Sequence, residues 1–157
     1  MANPAKCHLR KDETTYPGYT LGKSTVRPLF SKVQALQLCP PPSSKKQVHR
    51  FLGLAGYYHH FIPGFSSIAA LLSDLLKNES PKRIQWTRAC EEVFQTLKAQ
   101  LCQEPKLYSP DFTKEFLLQT DTLDIGLRTV LSQVGGDNEH SILYISRKLF
   151  RGRKPTL

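Results

Sequence analysis

The apolar residues of this chain change their spacing once, near Pro110, and that change limits the fold to helices followed by a sheet. Before it, Val48, Phe51, Leu52, Ala55 and Tyr58 recur at three- and four-residue intervals, as do Ala89, Val93, Phe94, Leu97 and Leu101, which is the helical period. After it, Phe116–Thr120, Thr129–Val134 and Ile142–Ile145 read as strands. Gly135-Gly136-Asp137-Asn138 is a strong turn between the last two. The expected class is α+β: a small helical region, then a three-stranded antiparallel meander joined by short links.

Local punctuation places the elements. Tyr19, Leu21 and Val26 around Gly22–Ser24 predict a short hairpin over 14–27, with Pro17 weakening its first strand by removing an amide donor. Ser31 to Leu38 predicts a helix that Cys39-Pro40-Pro41-Pro42 ends. Ser44-Lys45-Lys46-Gln47 matches a capping box, in which Ser44 and Gln47 satisfy each other's amides at the start of the next helix. After the Pro63-Gly64 turn, Ser66 or Ser67 caps a helix through Ile68, Leu71, Leu72 and Leu75, which Ser80-Pro81-Lys82 breaks. Thr87 caps a further helix, with Glu91 and Glu92 favourably placed in its first turns and Pro105 beyond its end.

Net charge is +9, and residues 1–60 carry most of the excess, with nine Lys/Arg against two acidic residues. Such a basic region suits either a binder of phosphate backbones or a solvated surface. Lys45, Lys46 and Arg50 oppose the dipole at a helix start, a mild cost that a binding role for these cations would explain. Cys7, Cys39, Cys90 and Cys102 show no C-x-x-C spacing, so zinc-knuckle and redox motifs are not supported. Free thiols, no signal-like start and no apolar run of spanning length point to an intracellular protein without a membrane association.

Phe51-Leu52-Gly53-Leu54-Ala55-Gly56-Tyr57-Tyr58, followed by Phe61-Ile62-Pro63 and Phe65, resembles the thumb of gypsy-type long-terminal-repeat retrotransposon polymerases. NPAKCHL and GYTLG resemble the end of the palm and the strands that hold the primer terminus. SSIAALLSDLLK resembles the next thumb helix, and Trp86-Thr87 with Glu91, Phe94, Leu97 and Lys98 resembles the helix leading into the RNase H-like domain. PDFTKEFLLQTD, VLSQV and YISRKL resemble that domain's first three strands. The resemblance divides the chain into a palm-end, primer-grip-like hairpin (1–27), a helical thumb-like region (28–80), a partial RNase H-like domain (84–150) and a basic tail (151–157).

Gly53 and Gly56 each cost a helix roughly 1 kcal/mol relative to Ala, so either close packing or a nearby nucleic-acid backbone must require them. Packing is the expected reason. Tyr57, Tyr58, His59 and His60 read as core residues or as contacts to bases and sugars. No further ligand stands at zinc spacing from the two histidines.

Asp121 aligns with the carboxylate that ends the first strand of RNase H-like nucleases, which with three other acidic residues holds two Mg²⁺ ions about 3.5–4 Å apart. The family pattern is T-D-A-S-D-x-G-x-G-A-V-L. Thr120, Asp121, Asp124, Gly126, Val130 and Leu131 match it, whereas Thr122, Leu123, Arg128 and Thr129 depart from it. Arg128 replaces a glycine, where a bulky cation is expected to fit poorly. Asp121 is therefore expected to be a vestigial ligand of an incomplete site, with no cofactor needed by the chain alone. The family's polymerase aspartates, in a Y-x-D-D turn, do not occur in these residues, and neither do the later nuclease carboxylates. The expectation is a segment of a Pol polyprotein that is not catalytic alone. It would retain weak, sequence-independent binding to RNA/DNA or DNA duplexes through Lys45, Lys46, Arg50, Tyr57 and Tyr58, and could associate with the remaining Pol domains. The alternative is a hybrid ribonuclease or reverse-transcriptase component, active only in a longer polyprotein or with a partner chain.

Overall fold

The computed structural model describes residues 11–77, 83–123 and 126–148. The NPAKCHL stretch, the Ser80-Pro81-Lys82 break, Asp124 and the basic tail lie outside them. Mixed helices and antiparallel sheets appear in the expected order.

The amino-terminal hairpin is a longer meander. Strands β1 (Glu13–Tyr16), β2 (Tyr19–Gly22) and β3 (Thr25–Pro28) pair antiparallel, and β4 (Leu107–Tyr108) adds to β3. Pro17 lies in the first turn, where its missing amide costs nothing, rather than in a strand. Gly18 beside it has φ +85°, and a Cβ there would fall 2.5 Å from the Tyr57 hydroxyl, so glycine is required on both counts. β4 returns from the far end of the helical region and is too short for any spacing signal.

Helix α1 (Phe30–Gln37) stands one residue from its expected start. Helix α2 (Lys45–Tyr57) begins as expected at Ser44, whose hydroxyl accepts from the Gln47 amide at 3.3 Å. The reciprocal half of the box is displaced by one residue: the Gln47 side-chain oxygen accepts from the amide of Ser43 at 2.7 Å and from its hydroxyl at 3.0 Å. The helix expected from Ser66 or Ser67 through Leu75 is split into α3 (Phe65–Ile68) and α4 (Ala70–Asp74). Neither serine caps it, because Gly64 at φ +66° occupies the cap position. Helix α5 (Arg88–Cys102) is capped by the Thr87 hydroxyl, which accepts from the Cys90 amide at 3.3 Å. Its buried side is Cys90, Phe94, Leu97 and Leu101, while Ala89 is exposed.

Strands β5 (Leu117–Leu123), β6 (Gly126–Gly135) and β7 (Asn138–Lys148) form the expected three-stranded meander, each longer than its sequence signal. Gly136 (φ +67°) and Asp137 make the tight turn between β6 and β7.

The core is helical. The main cluster of buried apolar side chains runs from Leu36 to Leu107, with Phe51 and Phe94 in ring contact at 4.6 Å between α2 and α5. Among the described residues, the second sheet supplies only Tyr144 to the margin of that cluster, from β7. β5 is exposed from Leu117 to Thr122. The helices with the first sheet therefore form the stable body, and the second sheet is an extension docked through β7. Among the described residues, no helix is long and apolar enough to cross a membrane.

Candidate nucleic-acid interface

Helix α2 has two distinct faces. Val48, Phe51 and Ala55 bury one of them, and Tyr58 continues that side just past the helix end. Lys46, His49, Arg50, Gly53 and Tyr57 are all exposed and share the opposite side at helical spacing. With a rise of about 1.5 Å per residue, this stripe is roughly 16 Å long. No acidic residue occupies the first turn of α2. Among the described residues, Lys46 and Arg50 have no ion-pair partner.

Gly53 stands in the middle of this stripe. A Cβ built on it would meet nothing within 4 Å. Packing, the expected reason for this glycine, does not explain it. Gly56 differs, since its Cβ would sit in ordinary contact, 3.8 Å from the Phe65 ring. A glycine on an open helical face weakens the helix by roughly 1 kcal/mol and adds no internal contact. What it provides is a smooth gap between flanking cations and a tyrosine, where another molecule's backbone can approach the helix axis.

The expected contact residues separate into two groups. Lys46, Arg50 and Tyr57 lie on the open stripe. Lys45 points to another side, where its ammonium donates to the Lys77 carbonyl at 2.9 Å. Tyr58 is fully buried, and its hydroxyl donates to the Gly18 carbonyl at 2.7 Å. As a contact residue Tyr58 is a correction: its ring joins the hairpin to the end of α2 and is closed off from any ligand. Burial raises the Tyr58 phenol above its ordinary pKa, and keeps it the neutral donor this bond needs.

Tyr57 is held as a platform. Its hydroxyl donates to the Pro17 carbonyl at 3.0 Å, and its ring stacks on Tyr19 at 5.4 Å. Burial, followed by the hydrogen bond with Tyr57, raises the Tyr19 phenol as well. Tyr57 remains 47% exposed, so an aromatic surface is available at one end of the stripe. His49 and Tyr19 are the members that sequence reading missed. The signal for His49 was available, since it shares the helical spacing of Lys46 and Gly53. Tyr19 lies in the GYTLG segment likened to the primer-terminus strands, but its stacking on Tyr57 arises only where the hairpin meets the end of α2.

The rings of His59 and His60 lie 3.7 Å apart, and among the described residues no third metal-type ligand joins them. The Nδ1 of His59 lies 2.7 Å from the Gly56 carbonyl and that of His60 lies 3.1 Å from the Tyr144 carbonyl, so each ring donates to backbone. The second of these ties the helical part to β7. Further ties are the Ser66 amide donating to the Ser146 hydroxyl at 2.9 Å, and Lys148 with Asp74 at 2.9 Å. Hydrogen bonds from Lys77 first and then Lys148 hold the Asp74 carboxyl below the usual aspartate value.

Asp121 lies on β5, exposed, directly across from Arg128 on β6, which in turn lies across from Ser146 on β7. Residues opposite one another in an antiparallel sheet share a face, so Asp121 and Arg128 are on the side turned toward the helices. Arg128 lies flat over the Gly64 turn, where a Cβ would come within 2.6 Å of its Nε. The expected poor fit is therefore resolved by a second glycine, though the Nε stays buried without a partner, as do the hydroxyls of Ser66 and Ser67. The Mg²⁺ implied by the resemblance does not suit this donor set. Among the described residues it has a single carboxylate, with a guanidinium-bearing neighbour on the same face, whereas two divalent cations each need several oxygens. Among the described residues no three of His, Cys, Asp and Glu converge as metal ligands.

Residues 86–154 match the family described as the RNase H-like domain found in reverse transcriptase. The chain is 38% identical over 144 residues to the Pol polyprotein from transposon 297 of Drosophila melanogaster, covering 92% of this chain and 13% of that protein. It is likewise 38% identical over 146 residues to the Gag-Pol polyprotein of Koala retrovirus, covering 92% of this chain and 8% of that protein. Among solved structures, the foamy viral protease-reverse transcriptase in complex with RNA/DNA hybrid shares the fold at a TM-score of 0.76 and 18% identity, over 94% of this chain and 20% of that one. The same viral protein solved with double-stranded DNA matches at a TM-score of 0.75 and 19% identity, over 90% of this chain and 29% of that one. The chain thus spans a small part of the proteins it resembles.

Proposed function

This chain belongs to the Pol polyproteins of retrotransposons and retroviruses, as a segment carrying their reverse-transcriptase RNase H-like region, and we propose that it grips nucleic-acid duplexes without cutting or copying them. The observation that carries the proposal is Gly53, an unpacked glycine centred between Lys46 and Arg50 on one side and Tyr57 on the other. A sugar-phosphate backbone laid along α2 finds two cations for its phosphates, a gap at Gly53 and an aromatic ring beyond it. Such contacts read shape and charge rather than base sequence. The structural neighbours solved with RNA/DNA hybrid and with double-stranded DNA support a duplex as the ligand class.

Catalysis is absent from this reading because of the donor set. Asp121 stands without converging carboxylates among the described residues, and Arg128 brings positive charge to its face. The intracellular placement belongs to the same proposal, supported by the free thiols of Cys39, Cys90 and Cys102. Fractionation of cells that produce the chain tests that part.

Two measurements test the main reading. Affinity for a labelled RNA/DNA hybrid should fall steeply with salt, and changing Lys46 and Arg50 to Ala should reduce the slope of log affinity against log salt by about 2. An unchanged slope removes the proposed contacts. In the same preparation, Mg²⁺ or Mn²⁺ should produce no cleavage of the hybrid; metal-dependent cleavage lost in Asp121→Asn would overturn the non-catalytic part.

A further inference from the structure

On the open stripe of α2, Lys46 and Arg50 supply charge, Gly53 leaves the gap and Tyr57 offers its ring. His49 stands among them without a part. It lies three residues after Lys46 and four before Gly53, so its ring is on the same face, beside the gap. The other described histidines are engaged within the fold: His59 and His60 donate to the Gly56 and Tyr144 carbonyls, and His140 stacks on Tyr108 at 4.1 Å. His49 is exposed, and among the described residues no hydrogen bond, ion pair or ring contact engages it. Helices α1, α4 and α5 pack against α2 away from this stripe. Their carboxylates are held elsewhere, Asp74 by Lys77 and Lys148, Glu91 by Trp86 and Gln95, and Glu92 by Arg88. Of their remaining cations, Lys98 donates to the Cys39 carbonyl and Lys32 is exposed on α1. The hairpin meets α2 about two turns further on, at Tyr57. α2 itself carries no carboxylate, so Lys46 and Arg50 are the charged neighbours of His49 along the stripe.

We propose that His49 is a proton-coupled contact to the duplex backbone, so that the grip of α2 tightens as pH falls. The inference rests on the duplex reading given above. Of the residue types on the stripe, histidine is the one that changes charge between about pH 5 and 8, while a phosphodiester stays anionic throughout. A backbone entering the gap at Gly53 brings negative charge beside the ring. That charge favours the protonated imidazole, whose two nitrogens both donate and which adds a cation to those of Lys46 and Arg50. The proton comes from solvent, and the ring holds it while the phosphate is in place. Binding and protonation are therefore linked, each promoting the other. The sign follows: the extra affinity is present at low pH and is lost as pH rises through the histidine range.

Fluorescence anisotropy of the full chain with a labelled RNA/DNA hybrid, at fixed salt and at two pH values, tests it. Affinity should be about tenfold higher at about pH 5.5 than at about pH 8, and the slope of log affinity against log salt should be steeper by about 1. His49→Gln should hold both quantities near their higher-pH values at either pH. His49→Arg, a permanent cation, should keep the tighter binding at both. Calorimetry in two buffers of different ionisation heat should show net uptake of about half a proton at most on binding, absent from His49→Gln. His60→Gln, which alters a histidine bonded within the fold, should leave the pH response in place. A pH response that survives His49→Gln overturns the proposal. So does a wild-type affinity indifferent to pH while Lys46 and Arg50 changed to Ala still weaken binding, and that result leaves the grip itself standing. A chain that binds no hybrid at either pH overturns the grip and this inference together.

Discussion

Replacing Gly53 by Ala and by Leu separates what the residue does for the fold from what it does for a ligand. The residue lies inside α2 on an exposed face, and a Cβ there meets no atom within 4 Å. Nothing in the fold opposes a side chain, so the helix should gain the ordinary difference in propensity, about 1 kcal/mol for Ala. For a chain of this length that raises the melting temperature by about 2–4 °C. Leu is nearly as good a helix former and should stabilise by a similar amount. Duplex binding should move the other way. A leucine side chain holds a backbone away from α2, and losing even one charge-assisted phosphate contact at Lys46 or Arg50, worth about 1.5 kcal/mol, weakens affinity about tenfold. Thermal denaturation followed by circular dichroism reads the first effect, and fluorescence anisotropy with a labelled hybrid reads the second. A Gly53→Leu variant that melts at a higher temperature yet binds the hybrid with unchanged affinity would refute the close-approach argument.

Gly18→Ala should destabilise by more than about 1 kcal/mol, because φ is +85° and the new Cβ would fall 2.5 Å from the Tyr57 hydroxyl; a neutral urea midpoint would contradict that. Tyr58→Phe leaves the Gly18 carbonyl without its donor and should cost about 1–3 kcal/mol, with unchanged duplex affinity wherever the protein is folded. Asp74 has a depressed pKa in the folded state, so its contribution is complete above the unfolded value and is lost as pH falls through the folded one. Denaturation curves taken from neutral pH down through the carboxylate range should therefore be flatter for Asp74→Asn, and parallel curves would contradict this.

The fold was legible where one element declared itself through repeated local signals. Ser44 and Thr87 cap as their sequences imply, and the Gly135–Asn138 turn sets the register of β6 on β7. Legibility failed where distant residues decide. β4 exists only because the chain returns beside β3, and Gly64, positioned by the turn, takes the cap position from Ser66 and Ser67. The Gln47 side chain reaches Ser43 rather than Ser44, a difference of one residue that the capping-box pattern does not resolve.

For the candidate site, the sequence marked the right helix but not its faces. Adjacent residues on a helix point about 100° apart, so Lys45 with Lys46, and Tyr57 with Tyr58, could not all serve one surface. Which of each pair faced outward depended on packing by Phe94 and the hairpin. Gly53 and Gly56 are indistinguishable as letters, and only the surroundings show that one is open and the other packed. Arg128 required a partner from another element, the Gly64 turn, to be accommodated at all.

Backbone amide shifts, followed by NMR as an RNA/DNA hybrid is added, examine the proposed grip at its source. Perturbations should concentrate on Lys46, His49, Arg50, Gly53 and Tyr57 and disappear at high salt. Perturbations confined to β5–β7 with α2 silent would contradict a duplex held along the open face of that helix.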